Sequence, residues 1–586
     1  YDKDGLLVKA QSAENLLEFT RDRKTGLVIE EKQGEYTVSR TYDAEGNCTR
    51  ITSSLGADIR HTYDREGNLQ AMQSGEGWQA FWVRDNTGLE VQRTFSGGVT
   101  VRTERDRFGR EVRKSVRSGG IERGAYRYEW GIANRLLAKE NELTGTVMRY
   151  DYDRFDFLIR QETTDGSETD VIYRVPDFVG NLFETPERKD RKYGAGGRLL
   201  EDPLSFYHYD DEGNLVFREF KELQDNAVTH DRKRMEKERG IRCRATGMGW
   251  LYEWASNGML KKVVRPDGRP VDFRYDALGR RTAKRYFGKV TRWVWDGNVP
   301  LHEWCYKAIG LQSDEKENTS PKEPAEDITT WVFEEGTFVP AAKIHGGKQY
   351  SIVSDYMGTP IQMYDGQGNK TWNCMLDIYG KVLAVDKGTE FDCPFRFQGQ
   401  YADKETGLYY NRFRYYNPYS GNYINIDPIG LKGGALVYSY VQNTNGWIDF
   451  WALAPWGVGS EAFNKWWETA TKEDIEKNIK AVKKHLRGGG GMHEMFPVAI
   501  AVEAKRLGFT ATELKVMTIP TRGLKFEYGG MIGLHHRSSA SKLFHDDLID
   551  QLKSATTKEQ AKNIITDMHN NHVIGYNSKK VTLNTH

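Results

Sequence analysis

The 586-residue sequence has no hydrophobic run approaching the eighteen or so residues that a membrane-crossing helix needs, so it offers no candidate transmembrane helix. Nor is a signal peptide visible. Cysteine is scarce: Cys48, Cys243, Cys305, Cys374 and Cys393 are scattered, odd in number and without CxxC spacing, which argues against both a disulfide framework and a zinc ribbon. Synthesis in a reducing cytosol follows as the simpler expectation. An excess of charge is also missing, since 84 lysines and arginines face 83 aspartates and glutamates, and any preference for a polyanion must be local. Long helical periodicity is absent from the first 450 residues. Tyr1 opens a motif, YDKDG, that recurs later, so the sequence reads as a segment of something longer.

What is present is repetition. RTYDAEGNCTRI, HTYDREGNLQAM, FWVRDNTGLEVQ and ERDRFGREVRKS place Asp43, Asp64, Asp85 and Asp106 at intervals of 21, with Gly46, Gly67, Gly88 and Gly109 in register. Later copies drift: YHYDDEGNLVFRE at 207, FRYDALGRRTAKR at 273 and a degenerate YEWASNGMLKKVV at 252. Each unit predicts strand, turn, strand. Apolar and polar residues alternate on both sides, Asp caps its own backbone, and Gly takes positive φ. One such hairpin cannot bury its own apolar face, so the units must stack into a continuous sheet. The segment 312–328 (QSDEKENTSPKEPAEDI) is charged, carries proline and lacks an apolar period, which predicts an exposed loop.

These units resemble the YD repeats of Rhs proteins and of toxin-complex C subunits. The likeness sharpens at 398–434, where QGQYADKETGLYYNRFRYYNPYSGNYINIDPIGLKGG is similar to the Rhs core signature. The resemblance implies a mainly β fold, a YD-repeat cocoon of spiralling antiparallel hairpins enclosing a small α+β C-terminal toxin domain. The implied division is a shell over 1–397, a plug and autoproteolysis segment over 398–453, and a toxin domain over 454–586. Asn417 departs from the pattern, since many relatives have Asp there.

In that family the chain cuts itself after the leucine of a second D-P-x-G-L motif. The matching segment here is TNGWIDFWAL, residues 444–453, which implies a cut between Leu453 and Ala454. Asp427 and Asp449 are then the candidate carboxylates, a pair able to act as acid and base because like charges in contact push their pKa values apart. This copy is eroded: Thr444 and Phe450 replace prolines and Ala452 replaces glycine. The two aspartates also admit a plainer role as turn caps.

After Leu453 the composition changes. AFNKWWETATKEDIEKNIKAVKKHL predicts one or two amphipathic helices with Thr471 as an N-cap; further helices are expected at 498–507, 541–553 and 557–568, and short strands at LKVMTI and LKFEYGGMIG. From residue 454 onward there are 19 basic and 14 acidic side chains, a mildly positive balance that suits a polyanion without requiring one. Eight of the thirteen histidines lie here, at 485, 493, 535, 536, 545, 569, 572 and 586. GGGGMHEMFPVA sets His493 and Glu494 after a glycine turn, and GLHHRSSASKLFHDDL sets His535 and His536 at a strand-to-helix junction, with His545 further on. Neutral imidazole serves as a general base or as a ligand for a divalent cation.

The pattern is similar to HNH-related (His-Me finger) nuclease toxins. That resemblance implies His493 as the base, with Glu494 and His536 as further catalytic candidates, and His535, His536 and His545 as ligands of Mg²⁺ or Zn²⁺. His485, His569, His572 and His586 read as core or surface residues. HEMFP is not a zinc-protease motif, because Pro497 stands where the helix would have to continue.

The function expected from these resemblances is an antibacterial toxin segment, made in the bacterial cytoplasm and delivered into target cells by a type VI-like apparatus. It would attack nucleic acid, be neutralised by a cognate immunity protein, and engage spike or adaptor proteins through a region N-terminal to this sequence. A C-terminal toxin of another enzymatic class would call for an Arg/Ser-x-Glu or nucleotide-loop pattern, which is not found. A YD-repeat adhesion protein would call for disulfides and an anchor.

Overall fold

A computed structural model describes residues 1–586 apart from 3–5, 13–14, 76, 309–322, 431–435, 450–451, 453–455, 458–466, 468–469, 471, 478, 480–481, 483–485, 487–491, 521–523, 536–537 and 575–586. Two compact units result, one from Tyr1–Asp85 and Leu89–Pro455, the other mainly from Trp456–His586. Most of the segment expected as an exposed loop, 312–328, lies outside the described residues.

The first unit contains two sixteen-stranded antiparallel sheets whose spatial order is the chain order throughout. One runs from the strand Lys9–Gln11 to Glu168–Tyr173, the other from Lys192–Tyr193 to Val382–Lys387. The reason is local. In the 21-residue units of Asp43 and Asp64 the carboxylate accepts from the amides two and four residues on: Glu45 and Asn47 donate to Asp43 Oδ1 at 3.1 and 2.8 Å, and Glu66 and Asn68 donate to Asp64 Oδ1 at 3.0 and 2.8 Å. Gly46 and Gly67 complete these turns at φ +83° and +79°.

The residue before the Asp has a second task, which explains the tyrosine. Tyr42, Tyr63, Tyr152 and Tyr275 donate their hydroxyls to the carbonyls of Val28, Cys48, Leu136 and Leu260 at 2.7–2.9 Å, in each case the strand of the preceding hairpin. Where tyrosine is replaced, another long donor takes over: Arg84 reaches Leu69 O, Arg105 reaches Glu90 O and Trp254 Nε1 reaches Leu215 O. Each repeat is thereby tied to its predecessor, at about 1 kcal/mol net per bond. The drift in repeat spacing between 207 and 252 is absorbed by the helix Arg232–Arg239, capped by Asp231, which interrupts the chain between two neighbouring strands.

Along each strand the side chains alternate. In Trp78–Arg84, Trp78, Ala80 and Trp82 are buried while Phe81 is exposed. The buried faces of the two sheets share one core, with Trp78, Tyr126 and Tyr128 packed among Val332, Ile361 and Tyr364. Polar contacts fix its register: Trp78 Nε1 donates to Ser351 Oγ at 3.0 Å, Ser118 Oγ to Gly368 O at 2.7 Å, and Gln33 exchanges hydrogen bonds with the Trp295 backbone at 2.5 and 3.0 Å. All five cysteines are free thiols.

After the second sheet comes a four-stranded sheet from Tyr401–Ala402 to Asn422–Tyr423, whose Tyr410 and Tyr415 pack in a separate core with Tyr207, Phe273 and Trp293 of the second sheet. It is anchored by buried Asp403, which pairs with Arg281 at 2.5 Å and Lys284 at 3.0 Å.

The second unit is α+β. The strands Met492–Glu494 and Thr518–Pro520 pair, the hairpin Lys525–Tyr528/Met531–Leu534 pairs with Val573–Ile574, and the helices Ser539–Ser554 and Lys558–His572 pack on the same core. The expectation of a strand over LKVMTI is corrected. Its first half closes the helix Ala511–Val516, because Thr510 and Glu513 form a reciprocal capping box, and only Thr518–Pro520 is extended.

Candidate functional site

Two clusters of chemically capable side chains stand out, one in each unit. In the first, Arg414 sits on a buried strand and its Nη2 lies 3.2 Å from Asp427 Oδ2 and 3.0 Å from Asp449 Oδ2. Both carboxylates therefore share one guanidinium nitrogen, and all three side chains are buried. Asp449 Oδ2 also accepts from the Tyr423 hydroxyl at 2.9 Å, and its carbonyl accepts from Asn411 Nδ2 at 2.9 Å. Asp427 caps a turn as well, accepting the Ile429 amide at 2.9 Å. Burial lifts its carboxyl to about 6 against the opposing pull of Arg414.

The same arginine donates through Nε to the carbonyl of Ala452. Ala452 is buried and holds φ +51°, the left-handed region that favours glycine. The arrangement thus reaches to one residue short of the expected cut, while Leu453 and Ala454 themselves lie outside the described residues. Asn417, the departure from the family pattern, does the local work of an aspartate: its Oδ1 accepts the Tyr419 amide at 3.0 Å. Arg414, Tyr423 and Asn411 were not legible as participants, because their roles depend on strands that meet only in the folded sheet.

In the second cluster, the strand Met492–Glu494 presents His493, the turn after Met531–Leu534 presents His535, and the helix Ser539–Ser554 presents His545. One ring nitrogen of each lies within 4.8 Å of the others. His493 Nδ1 is 2.9 Å from His535 Nε2, and His493 Nε2 is 3.1 Å from Nε2 of His569, on the helix Lys558–His572. His493 and His569 are fully buried, and Phe526 packs against His493, His535 and His545 at centroid distances of 5.3–5.6 Å. His545 Nδ1 lies 2.6 Å from Ser541 O, and His569 Nδ1 lies 2.8 Å from Ile565 O. Burial depresses both imidazoles, His569 to about 4, so that both are neutral at ordinary pH.

Neutral imidazoles brought together in this way suit a divalent cation of intermediate softness, so the donor chemistry fits a metal. His536 lies outside the described residues, and of Glu494 only the backbone is described, paired with Thr518. His569 was read from sequence as an uninvolved residue; the structure brings it against His493. The signal available was its place beside Ile565 and Met568 on the buried stripe of its helix.

Comparison with known proteins agrees with the architecture. The Teneurin YD-shell family profile matches residues 180–431 and the RHS Repeat profile residues 42–77. Double-stranded DNA deaminase toxin A of Burkholderia cenocepacia is 30% identical over 466 residues, 75% of this chain and 30% of that protein. The chain is an Rhs/YD-repeat protein. A second relative, probable deoxyribonuclease RhsA of Dickeya dadantii, is 27% identical over 70% of this chain and 26% of its own length. This Rhs chain spans less than a third of either relative. Among solved structures, the Photorhabdus luminescens Tc holotoxin pore matches over 77% of this chain and 24% of that chain, with TM-score 0.52 and 16% identity, a likeness of fold. No helix among the described residues is long and apolar enough to cross a membrane.

Proposed function

We propose that this Rhs chain is the shell and effector portion of an antibacterial toxin, in which residues 454–586 form a metal-dependent nuclease and the plug segment severs it after Leu453. The observation that carries the nuclease reading is the convergence of His493, His535 and His545 in a unit with excess positive charge. Relatives named as a deoxyribonuclease and a DNA deaminase support nucleic acid as the target. Deamination is the weaker reading for this chain: zinc deaminases hold their ion with cysteines, and every cysteine here lies at or before Cys393. A divalent cation bound at the histidines would supply Lewis acidity toward a phosphodiester and lower the pKa of water. The protein's part is to hold neutral imidazoles in a buried, apolar setting against Phe526.

For release, Asp449 and Asp427 supply paired carboxylates, one pushed up into the range where it retains a proton near pH 6. Arg414 orients both and, through its hydrogen bond to the Ala452 carbonyl, holds the chain one residue before the bond to be cut. The reading extends to synthesis in the bacterial cytoplasm, delivery by a type VI-like apparatus through a preceding region, and a cognate immunity protein. It further holds that the shell keeps the effector from nucleic acid until release.

The test is degradation of DNA and RNA, with Mg²⁺ or Zn²⁺, by the whole chain and by residues 454–586 expressed with the immunity protein and then freed of it. Activity confined to the free domain and lost in His493→Ala is expected. Equal activity of both preparations would remove this role of the shell, and full activity of both His493→Ala and His536→Ala would remove the catalytic assignment.

A further inference from the structure

The hydrogen-bond geometry around His493 fixes which nitrogen of each ring carries a proton. A backbone carbonyl only accepts, so His569, 2.8 Å from Ile565 O, holds its proton on Nδ1, and its Nε2 presents a lone pair. That lone pair lies 3.1 Å from His493 Nε2, which must therefore donate, leaving the lone pair of His493 on Nδ1. By the same argument His545, 2.6 Å from Ser541 O, carries its proton on Nδ1 and its lone pair on Nε2. His535 Nε2 meets His493 Nδ1 at 2.9 Å and is the donor of that contact when no cation is present. Two lone pairs are thus locked by main-chain carbonyls, one directly and one through a relay, and the third ring needs only to move its proton from Nε2 to Nδ1.

We propose that His493 Nδ1, His535 Nε2 and His545 Nε2 form a three-imidazole site for a zinc-class divalent cation, with His569 as a positioning residue that sets the His493 tautomer. The proposal deepens the reading that this cluster holds a divalent ion, and it reassigns His493 from base to ligand: a ring buried on all sides, with an imidazole against each nitrogen, is built to hold rather than to shuttle. Three imidazoles, the donor set that converges among the described residues, select Zn²⁺, Co²⁺ or Ni²⁺ over Mg²⁺, which prefers oxygen ligands. A three-ligand set also keeps a fourth tetrahedral position for water or a phosphate oxygen. His569 then plays the part that outer carbonyls and carboxylates play in other histidine sites, where the loss of such a partner weakens metal binding about 10–100-fold.

The test uses the whole chain, stripped with chelator and titrated with Zn²⁺, Co²⁺ and Mg²⁺ by calorimetry, with bound metal counted by mass spectrometry and Co²⁺ coordination read from visible absorption. One Zn²⁺ per chain, a four-coordinate Co²⁺ spectrum and weak Mg²⁺ binding are expected. His545→Ala and His493→Ala should abolish uptake. His569→Ala should weaken it about 10–100-fold, and His569→Gln, whose amide oxygen can accept from His493 Nε2, should restore most of it. Circular dichroism identifies any alanine variant that unfolds, and His493→Gln and His545→Gln then serve in its place.

Unchanged zinc affinity in the His493 variants would overturn the ligand assignment, and unchanged affinity in His569→Ala would overturn the positioning role. The two readings part cleanly. Stoichiometric zinc without cleavage of any nucleic acid refutes the nuclease alone, while cleavage supported by Mg²⁺ with no zinc uptake refutes this site alone.

Discussion

Replacing Asp427 by asparagine should flatten the pH dependence of shell stability by about 3 kcal/mol. The carboxyl is almost fully buried, and burial raises its pKa to about 6 although Arg414 pulls the other way. In the unfolded chain the same group titrates near 4. Because its folded value is the higher one, the native state holds the proton more tightly. The resulting stability is fully present below about pH 4 and is lost as pH rises through about 6. A difference of about two pH units is worth about 3 kcal/mol. Asparagine keeps the volume and the acceptor for the Ile429 amide but does not titrate. Asp377, pushed to about 6 by burial as well, is present in both proteins and cancels. The measurement is urea unfolding of the shell followed by tryptophan fluorescence between pH 4 and 8. Since each protein is compared with itself across pH, any difference in self-cleavage also cancels. Identical pH profiles for the wild type and Asp427→Asn would refute the account of a buried, partly protonated carboxyl.

Other expectations are more direct. Denaturing electrophoresis of the wild-type chain should show a fragment of about 15 kDa, from 133 residues at the chain's mean mass, and Asp449→Asn should leave a single band; continued cutting would make Asp449 structural. Ala452→Val should destabilise the plug by more than about 1 kcal/mol, because a β-branched side chain is strained at φ +51°, whereas Ala452→Gly should be neutral or stabilising by thermal melting. Tyr63→Phe removes only the hydroxyl bond to Cys48 O and should cost about 0.5–1.5 kcal/mol in urea unfolding. Phe526→Ala should destabilise the C-terminal unit by about 3–5 kcal/mol and loosen the imidazoles it separates, seen as a joint loss of melting temperature and zinc affinity.

Some structure went unread although its signal was present. Thr510 and Glu513 stand three apart, the spacing of a capping box, yet the apolar run of LKVMTI reads as a strand because short apolar runs do not distinguish the two conformations. The place of His569 on a buried stripe, next to Met568 and four residues from Ile565, was likewise visible as periodicity, but nothing in that periodicity says that another histidine faces it.

The sequence by itself determined what short-range physics controls. An Asp that accepts amides two and four residues on, a Gly at positive φ, and strands that alternate on either side are all closed within about seven residues, so the repeat and its hairpins could be read directly. Even the replacement of tyrosine by Arg84 or Arg105 keeps an offset of 15 residues to the preceding hairpin. Tertiary structure alone decided which further side chains close the two clusters. Arg414 meets Asp449 across 35 residues, and His493 meets His569 across 76. No local preference encodes such meetings; they exist because a buried polar atom must find a partner, and which partner it finds depends on the packing of elements that are remote in the chain.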